Sequence, residues 1–206
     1  MKECPIRLTT GGVAKIDKVI AIRQYGSGGR QIGRLVSERL SIPFYDKEII
    51  QRAASKSGIH TSYFIDADQN GTGSPIYSIT PGVTFELSIQ DKLYLSQRNA
   101  ILTLAATGPC VMVGHGACEV LKGQLPLLCV FIYADIETRI CRVLEEYQEP
   151  PENIEKRIYE TDKKRMIYYS FYERKRKQGT SYFDICVDSG NLGIDGAVQV
   201  VLSAYR

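Results

Sequence analysis

Residues 25 to 33 read YGSGGRQIG: three glycines and a serine in four places, followed by a cation and an amide. Successive backbone N–H groups can turn inward only where glycine permits it, and a helix opening directly afterwards adds a dipole that favours anions. On that reading Gly26, Ser27, Gly28 and Gly29 form a phosphate cradle of the G-x-x-x-x-G-K-[ST] kind, with Arg30 in the lysine's place. A dinucleotide fingerprint, G-x-G-x-x-G, starts correctly at Gly26-Ser27-Gly28 but meets Gln31 where its last glycine belongs. Asp46, twenty residues after Gly26, nonetheless stands where a ribose-binding carboxylate would be. A plain glycine-rich turn is the third reading, and the loop by itself leaves all three open.

Charge points the same way as the first two. Residues 156 to 177 hold nine Lys and Arg against Glu160, Asp162 and Glu173, a local excess of six in a chain whose net charge is only +3. One segment is built to meet anions, and the guanidinium fork of Arg157 or Arg165 matches phosphate oxygens. Tyr168, Tyr169 and Tyr172, interleaved with RKRK, raise RNA binding as an option. Aromatic spacing of three and four on a helix favours packing instead, so no nucleic-acid partner is expected.

The totals exclude several classes. At 206 residues with 44% hydrophobic and 24% charged residues, the chain suits one globular domain, and no apolar run nears the roughly 18 residues of a membrane span. The first twenty residues lack a signal peptide's apolar core, which predicts a cytoplasmic protein. Cys4, Cys110, Cys118, Cys129, Cys141 and Cys186 form no C-x-x-C pair and several lie in apolar runs, so buried free thiols are expected rather than disulfides or zinc ligands.

The elements that must position these residues alternate. Continuous apolar runs at 19–22, 42–45, 110–114, 127–133 and 183–188 have the composition of strands buried on both faces. Helical patterns separate them: RQIGRLVSERL, DKEIIQRAASKSG stopped by Gly58, LSIQDKLYLSQRNAILTLAATG, DIETRICRVLEEY, PENIEKRIYETDKKRMIYYSFYERKRK and IDGAVQVVLSAY. Alternation of this kind predicts an α/β fold with a mostly parallel sheet and crossover helices. Residues 59–86, poor in periodicity and rich in Gly, Ser, Thr and Pro, read as a long loop or mobile insert. His115 in VGHG follows a buried strand, and the ends of such strands are where open α/β sheets bind ligands.

Taken in order, IRQYGSGGRQIGRLVSERLSIPFYDKEII, IQDKLYLSQ, GPCVMVGHGACEVL, VFIYADIETRI, TDKKRMIYY and SYFDICVDSGNLGIDGAVQVV resemble the cytidylate kinase-like family, a branch of the P-loop nucleoside monophosphate kinases. The resemblance runs from about residue 18 to the C-terminus and is weak only over 59–86. It implies a three-layer P-loop fold with a five-stranded parallel sheet, the first strand near its centre, and a helical lid at about 150–180. It implies transfer of the γ-phosphoryl of ATP, with Mg²⁺, to CMP, dCMP or a similar phosphorylated acceptor. A catalytically inactive nucleotide-binding module is the alternative.

Residue by residue, the resemblance implies that Gly26, Ser27, Gly28, Gly29, Arg30 and Gln31 hold the ATP phosphates, with Arg139 and Arg142 against adenine and phosphate. Asp46, Asp91, Lys92, Gln97, Arg98, His115, Asp162 and Arg165 are the implied acceptor residues, although Lys92 to Arg98 spans nearly two turns and cannot all face one ligand. Arg30, Arg157 and Arg165, with Lys164 nearby, would close on the transferring phosphate. Gln31 and Ile32 follow Arg30 where a magnesium-binding Ser or Thr is usual, which leaves Ser27 as the candidate metal ligand.

Overall fold

The structure, a computed structural model, describes residues 16–63, 89–146, 148, 150–172 and 183–205. Most of the expected insert and residues 173–180 of the expected lid lie outside them, as do the side chains of Tyr168, Tyr169 and Tyr172.

In chain order the elements are β1 (Lys18–Arg23), α1 (Gly29–Leu40), β2 (Phe44–Tyr45), α2 (Lys47–Ser57), α3 (Ile89–Ala105), β3 (Cys110–Val113), α4 (Ala117–Leu121), β4 (Leu127–Tyr133), α5 (Ile136–Glu146), α6 (Ile154–Tyr172), β5 (Ile185–Asp188) and α7 (Ser189–Ala204). The strands form one parallel sheet in the order β2-β3-β1-β4-β5, so the first strand is indeed central. Parallel pairing requires a crossover between neighbours, and that requirement places helices on both faces.

Burial on both faces explains why the strands read as continuous apolar runs. Val19 and Ala21 of β1 face Ile32 and Val36 of α1 and Ala197, Val198 and Val201 of α7. Ile20, on the opposite face and wholly buried, packs with Ile49 and Ala53 of α2, Leu93 and Ile101 of α3 and Leu121 of α4. Each such burial is worth about 1.5–3 kcal/mol, so the two clusters fix the three layers without help from polar contacts. A smaller cluster, Val143 of α5 with Ile154 and Ile158 of α6, packs against Tyr25. It seats the helix of the expected lid beside the glycine loop.

Several boundaries differ from the sequence expectation for local reasons. β2 pairs only through Phe44 and Tyr45: the N–H of Ile42 is taken by Ser37 O at the end of α1, and Pro43 has no N–H to give. The last helix starts at Ser189 and breaks at Gly193, where φ is 67° and ψ 176°, so the stretch expected from Ile194 is its second part. Helix α1 begins at Gly29 behind a left-handed Gly28, one residue before the helical pattern RQIGRLVSERL begins at Arg30.

The cysteines require a correction. Cys118 of α4 and Cys129 of β4 are joined by a disulfide with their Cα atoms 6.1 Å apart, and Cys141 and Cys186 are exposed. Only Cys110 of the described cysteines is a buried free thiol; burial pushes its pKa up to about 11 against the opposing charge of Lys18. Among the described residues no helix is long and apolar enough to cross a membrane.

Candidate active site at the carboxyl end of the sheet

The site is built where β1 stops. Its last residues lead into Gln24 and Tyr25, and then the chain turns through Gly26 (φ 79°) and Gly28 (φ 72°) into α1. A side chain at Gly26 is barred twice, by its left-handed backbone and by the Arg139 carbonyl oxygen, which would stand 2.8 Å from a Cβ. Beyond Gly28 the opening N–H groups of α1 have no side-chain cap, which leaves a helix N-terminus of the kind that suits an anion.

Other elements hold this loop rigidly. Asp162 of α6 accepts the Tyr25 N–H at 2.8 Å and pairs with the guanidinium of Arg139, whose Nε donates to Tyr25 O at 2.7 Å. Arg165 lies over the Tyr25 ring, 5.3 Å from its centroid. From the other side Ser189 Oγ donates to Ser27 O at 2.7 Å, and Arg142 grips Ser189 through its hydroxyl at 3.0 Å and its carbonyl at 2.8 Å. The loop's two carbonyls and one N–H are thus fixed by residues 110 or more positions away in sequence.

Across from the loop lies a second polar group centred on Asp46, which follows β2 and is buried. Arg30 Nε stands 2.7 Å from Asp46 Oδ2, while Arg23 and His115 approach Oδ1 at 3.6 and 3.5 Å. Burial alone would raise the pKa of this carboxyl. The close approach of His115 and the charges of Arg23, His115 and Arg30 outweigh it and hold the group below its ordinary value. His115 is presented by Gly114-His115-Gly116, three successive residues with positive φ, and its Nδ1 meets Gln97 Nε2 at 3.1 Å. A histidine at φ 57° is unusual, and here the twist aims its ring at Asp46.

Between these groups and α6 is a cavity of about 570 Å³. Its polar lining includes Arg23, Gln24, Arg139, Asp162 and Arg165, and Ile22, Phe131 and Phe183 supply apolar surface. Phe131 and Phe183 stack with centroids 4.9 Å apart.

The structure gathers the expected residues differently from the sequence reading. Gly26, Ser27, Gly28, Gly29 and Arg30 do form one turn, with Gln31 exposed on the first turn of α1. Arg139 and Asp162, expected on different ligands, instead bond to each other and to Tyr25. Arg142 binds Ser189, and Arg157, expected at the transferring phosphate, donates to the carbonyls of Glu152 and Pro150 at the start of α6. On α3 Gln97 reaches the Asp46 group through His115; Lys92 is exposed, and Asp91 and Arg98 are half-buried. Lys164 is half-buried on α6 without lining the cavity.

Arg23 and Ser189 escaped the sequence reading. Arg23 reads as the last residue of a strand, and only the polar pair Arg23-Gln24 between an apolar run and the glycines signals it. Ser189 follows Asp188, which accepts the N–H groups of Gly190 and Asn191, and this Asx-type start was legible as a helix cap.

The residues present do not build a magnesium site. Ser27 is wholly buried and its hydroxyl donates to Gln24 O at 2.9 Å, Ile32 is in the core, and no cluster of His, Cys, Asp or Glu suited to a metal occurs among the described residues.

Comparison with known proteins agrees with this architecture. Over 93% of its length the chain superposes on 98% of an uncharacterized protein from Eubacterium ventriosum with a TM-score of 0.66 and 22% identity. A shikimate kinase from Acinetobacter baumannii in complex with shikimate matches with a TM-score of 0.54 and 16% identity, covering 92% of each chain. A gluconokinase from Sinorhizobium meliloti gives 0.54 and 13%, covering 94% of this chain and 95% of its own. At these identities the likeness is one of fold, that of the P-loop kinases. No curated protein matches in sequence. The family model of the cytidylate kinase-like family, however, matches residues 19–191, and with the glycine turn, the Asp46 group and α6 all inside that span, the chain belongs to the cytidylate kinase-like family.

Proposed function

We propose that the protein is an ATP-dependent phosphotransferase that moves the γ-phosphoryl of ATP to CMP, dCMP or a similar small phosphorylated acceptor. The observation that carries this reading is the juxtaposition of the Gly26–Arg30 turn, opening into the N-terminus of α1, with the buried carboxylate of Asp46 2.7 Å from Arg30. Family membership supports the reaction class, and the fold shared with a shikimate kinase and a gluconokinase supports phosphoryl transfer to a small molecule.

Each group has a task in that reaction. The loop's N–H groups and the helix dipole receive the phosphates of ATP, and Arg30 moves from Asp46 to the β and γ oxygens as they arrive. Asp46, Gln97 and His115 orient the acceptor from the side opposite the loop. Arg165 and the cationic face of α6 offset charge that develops on the transferring group, and closure of the lid around 150–180 excludes water. Arg139, Arg142, Asp162 and Ser189 keep the loop in shape, so the chemistry needs positioning and charge rather than a nucleophile. The whole chain then acts as one domain.

A second reading, a nucleotide-binding module without transfer, is favoured by one observation: the loop's cation is already engaged by Asp46 and no described residue is placed to hold Mg²⁺. A coupled ADP-release assay with ATP and Mg²⁺ against CMP, dCMP, UMP, AMP, GMP and simple phosphorylated metabolites separates the two. Acceptor-dependent ADP formation supports the kinase; tight ATP binding with a silent panel supports the module.

A further inference from the structure

Cations outnumber carboxylates in the cavity beneath α6: Arg23, Arg139, Lys163 and Arg165 line it against the single carboxylate of Asp162. That carboxylate is committed to Arg139 and the Tyr25 N–H, and the other charged residues among the described lining, Arg23, Lys163 and Arg165, are cations. Arg139, the most buried of the lining cations, is spent on Asp162, and Arg23 is also largely buried. Its side chain is 17% exposed, and its tip is 3.6 Å from Asp46, a carboxylate that also serves Arg30 and His115. One shared carboxylate offsets at most one of the guanidinium groups around it, and an excess of buried positive charge is costly unless an anion completes it.

The stem of Arg23 adds a constraint. A Cβ at Gly29 would stand 2.6 Å from Arg23 Cβ and 3.1 Å from its Cδ, so the chain of the arginine lies flat on the glycine loop and fixes where its head emerges. The head therefore sits between the loop and the cavity, while Arg165 borders the cavity from α6. Beside them Phe183 and Phe131, the latter stacked with both Phe183 and Tyr133, add an apolar wall.

We propose that Arg23 is an acceptor-binding residue: together with Arg165 it receives the dianionic phosphate of a small ring compound whose body packs against the apolar wall of Phe131 and Phe183. The inference rests on the phosphotransferase reading and deepens it, because it names the group that selects an anionic acceptor over a neutral one. A guanidinium at this depth gives two parallel N–H donors to a phosphate, and a neutral ring substituent would leave those donors unpaired. Discrimination therefore comes from the end of β1, before the glycines, and not only from α6.

The test uses the full chain and two probes, a non-hydrolysable ATP analogue for the loop and inorganic phosphate, titrated with the loop saturated by the analogue, for the cavity. Arg23→Gln keeps the carbon stem over Gly29 and removes only the charge. It should retain analogue affinity within about twofold while phosphate binding weakens about tenfold or more, the loss expected for one charge-assisted bond. Arg23→Lys should recover part of that loss, and Arg165→Gln, on the far wall, should reproduce it even if the Arg23 variants fold poorly. Phosphate binding unchanged in both glutamine variants, or no phosphate bound by the wild-type chain alongside the analogue, overturns the proposal. Failure of the wild-type chain to bind the analogue at all would instead remove the phosphotransferase reading, while the Arg23 dependence of phosphate binding could still be measured.

Discussion

Arg30 Nε and Asp46 Oδ2 lie 2.7 Å apart, so the cation that heads the phosphate loop is ion-paired with the carboxylate that follows β2. The pair joins the two halves of the candidate site. It also means that an incoming phosphate competes with Asp46 for the same guanidinium, and the Arg30 side chain, 41% exposed, has room to swing between them.

Arg30→Ala should lower affinity for a fluorescent ATP analogue by about tenfold to a hundredfold, the range of a lost charge-assisted bond. Because Arg23 and His115 remain beside Asp46, the melting temperature should fall by no more than roughly 4 °C, the shift that about 1 kcal/mol produces in a chain of this size. Unchanged analogue affinity would show that the phosphates bind somewhere else.

Asp162→Asn should destabilise the fold and loosen the loop together. Arg139, with a side chain only 4% exposed, loses its counter-charge, and Tyr25 N–H loses an ionised acceptor. Breaking a fully buried pair costs about 3–5 kcal/mol; with Asp162 24% exposed, we expect about 1–3 kcal/mol in urea denaturation. ATP-analogue affinity should fall at least as far as acceptor use. A loss confined to acceptor use would make Asp162 a ligand contact and not a latch on the loop.

Asp46 predicts an acid limb. Its folded carboxyl is held below the ordinary 3.8, so between the two values the unfolded chain binds more protons and stability rises with pH. The contribution is complete above the ordinary value and is lost as pH falls through the depressed one. Urea midpoints measured from about pH 2.5 to 6 should converge for wild type and Asp46→Asn at the acid end. A constant gap across the range would mean that Asp46 is not stabilised by its cationic neighbours.

Thiol labelling should follow burial. At pH 8 iodoacetamide should modify Cys141 and Cys186 in the native protein and spare Cys110, whose pKa near 11 leaves almost no thiolate. Cys118 and Cys129 should become reactive only after reduction under denaturing conditions, as peptide mapping would reveal. Native labelling of either would contradict the disulfide.

Much of the architecture was legible because its cause is local. Five apolar runs too continuous for a half-exposed sheet, separated by helical periods, specify a parallel sheet, and YGSGGRQIG specifies a strand-to-helix phosphate turn. Pairings across the chain were not legible. Arg139 and Asp162 sit on different helices 23 residues apart, and each read alone is a surface charge suited to a ligand. Their union depends on how α6 docks through Ile154 and Ile158, which no local pattern reveals. The Cys118–Cys129 bond was missed for a related reason: one partner is on a short helix and the other on a central strand, and only the crossover between them brings the sulfurs together. Arg23 was hidden by its position at a strand end, where side-chain direction depends on the register with β3 and β4.

Ser189, whose hydroxyl holds the Ser27 carbonyl, lies seventeen residues before the end of this sequence. During synthesis the glycine loop therefore leaves the ribosome more than 160 residues ahead of a partner that fixes it. A chain ending before Ile185 can form β1, α1 and β3, yet it lacks both Ser189 and the β5 edge, and we expect it to leave the ATP analogue unbound. Competence to bind nucleotide then waits for Ser189, and released chains truncated at successive lengths would reveal it as a step in analogue retention once Ser189 is included, with retention by shorter chains contradicting it.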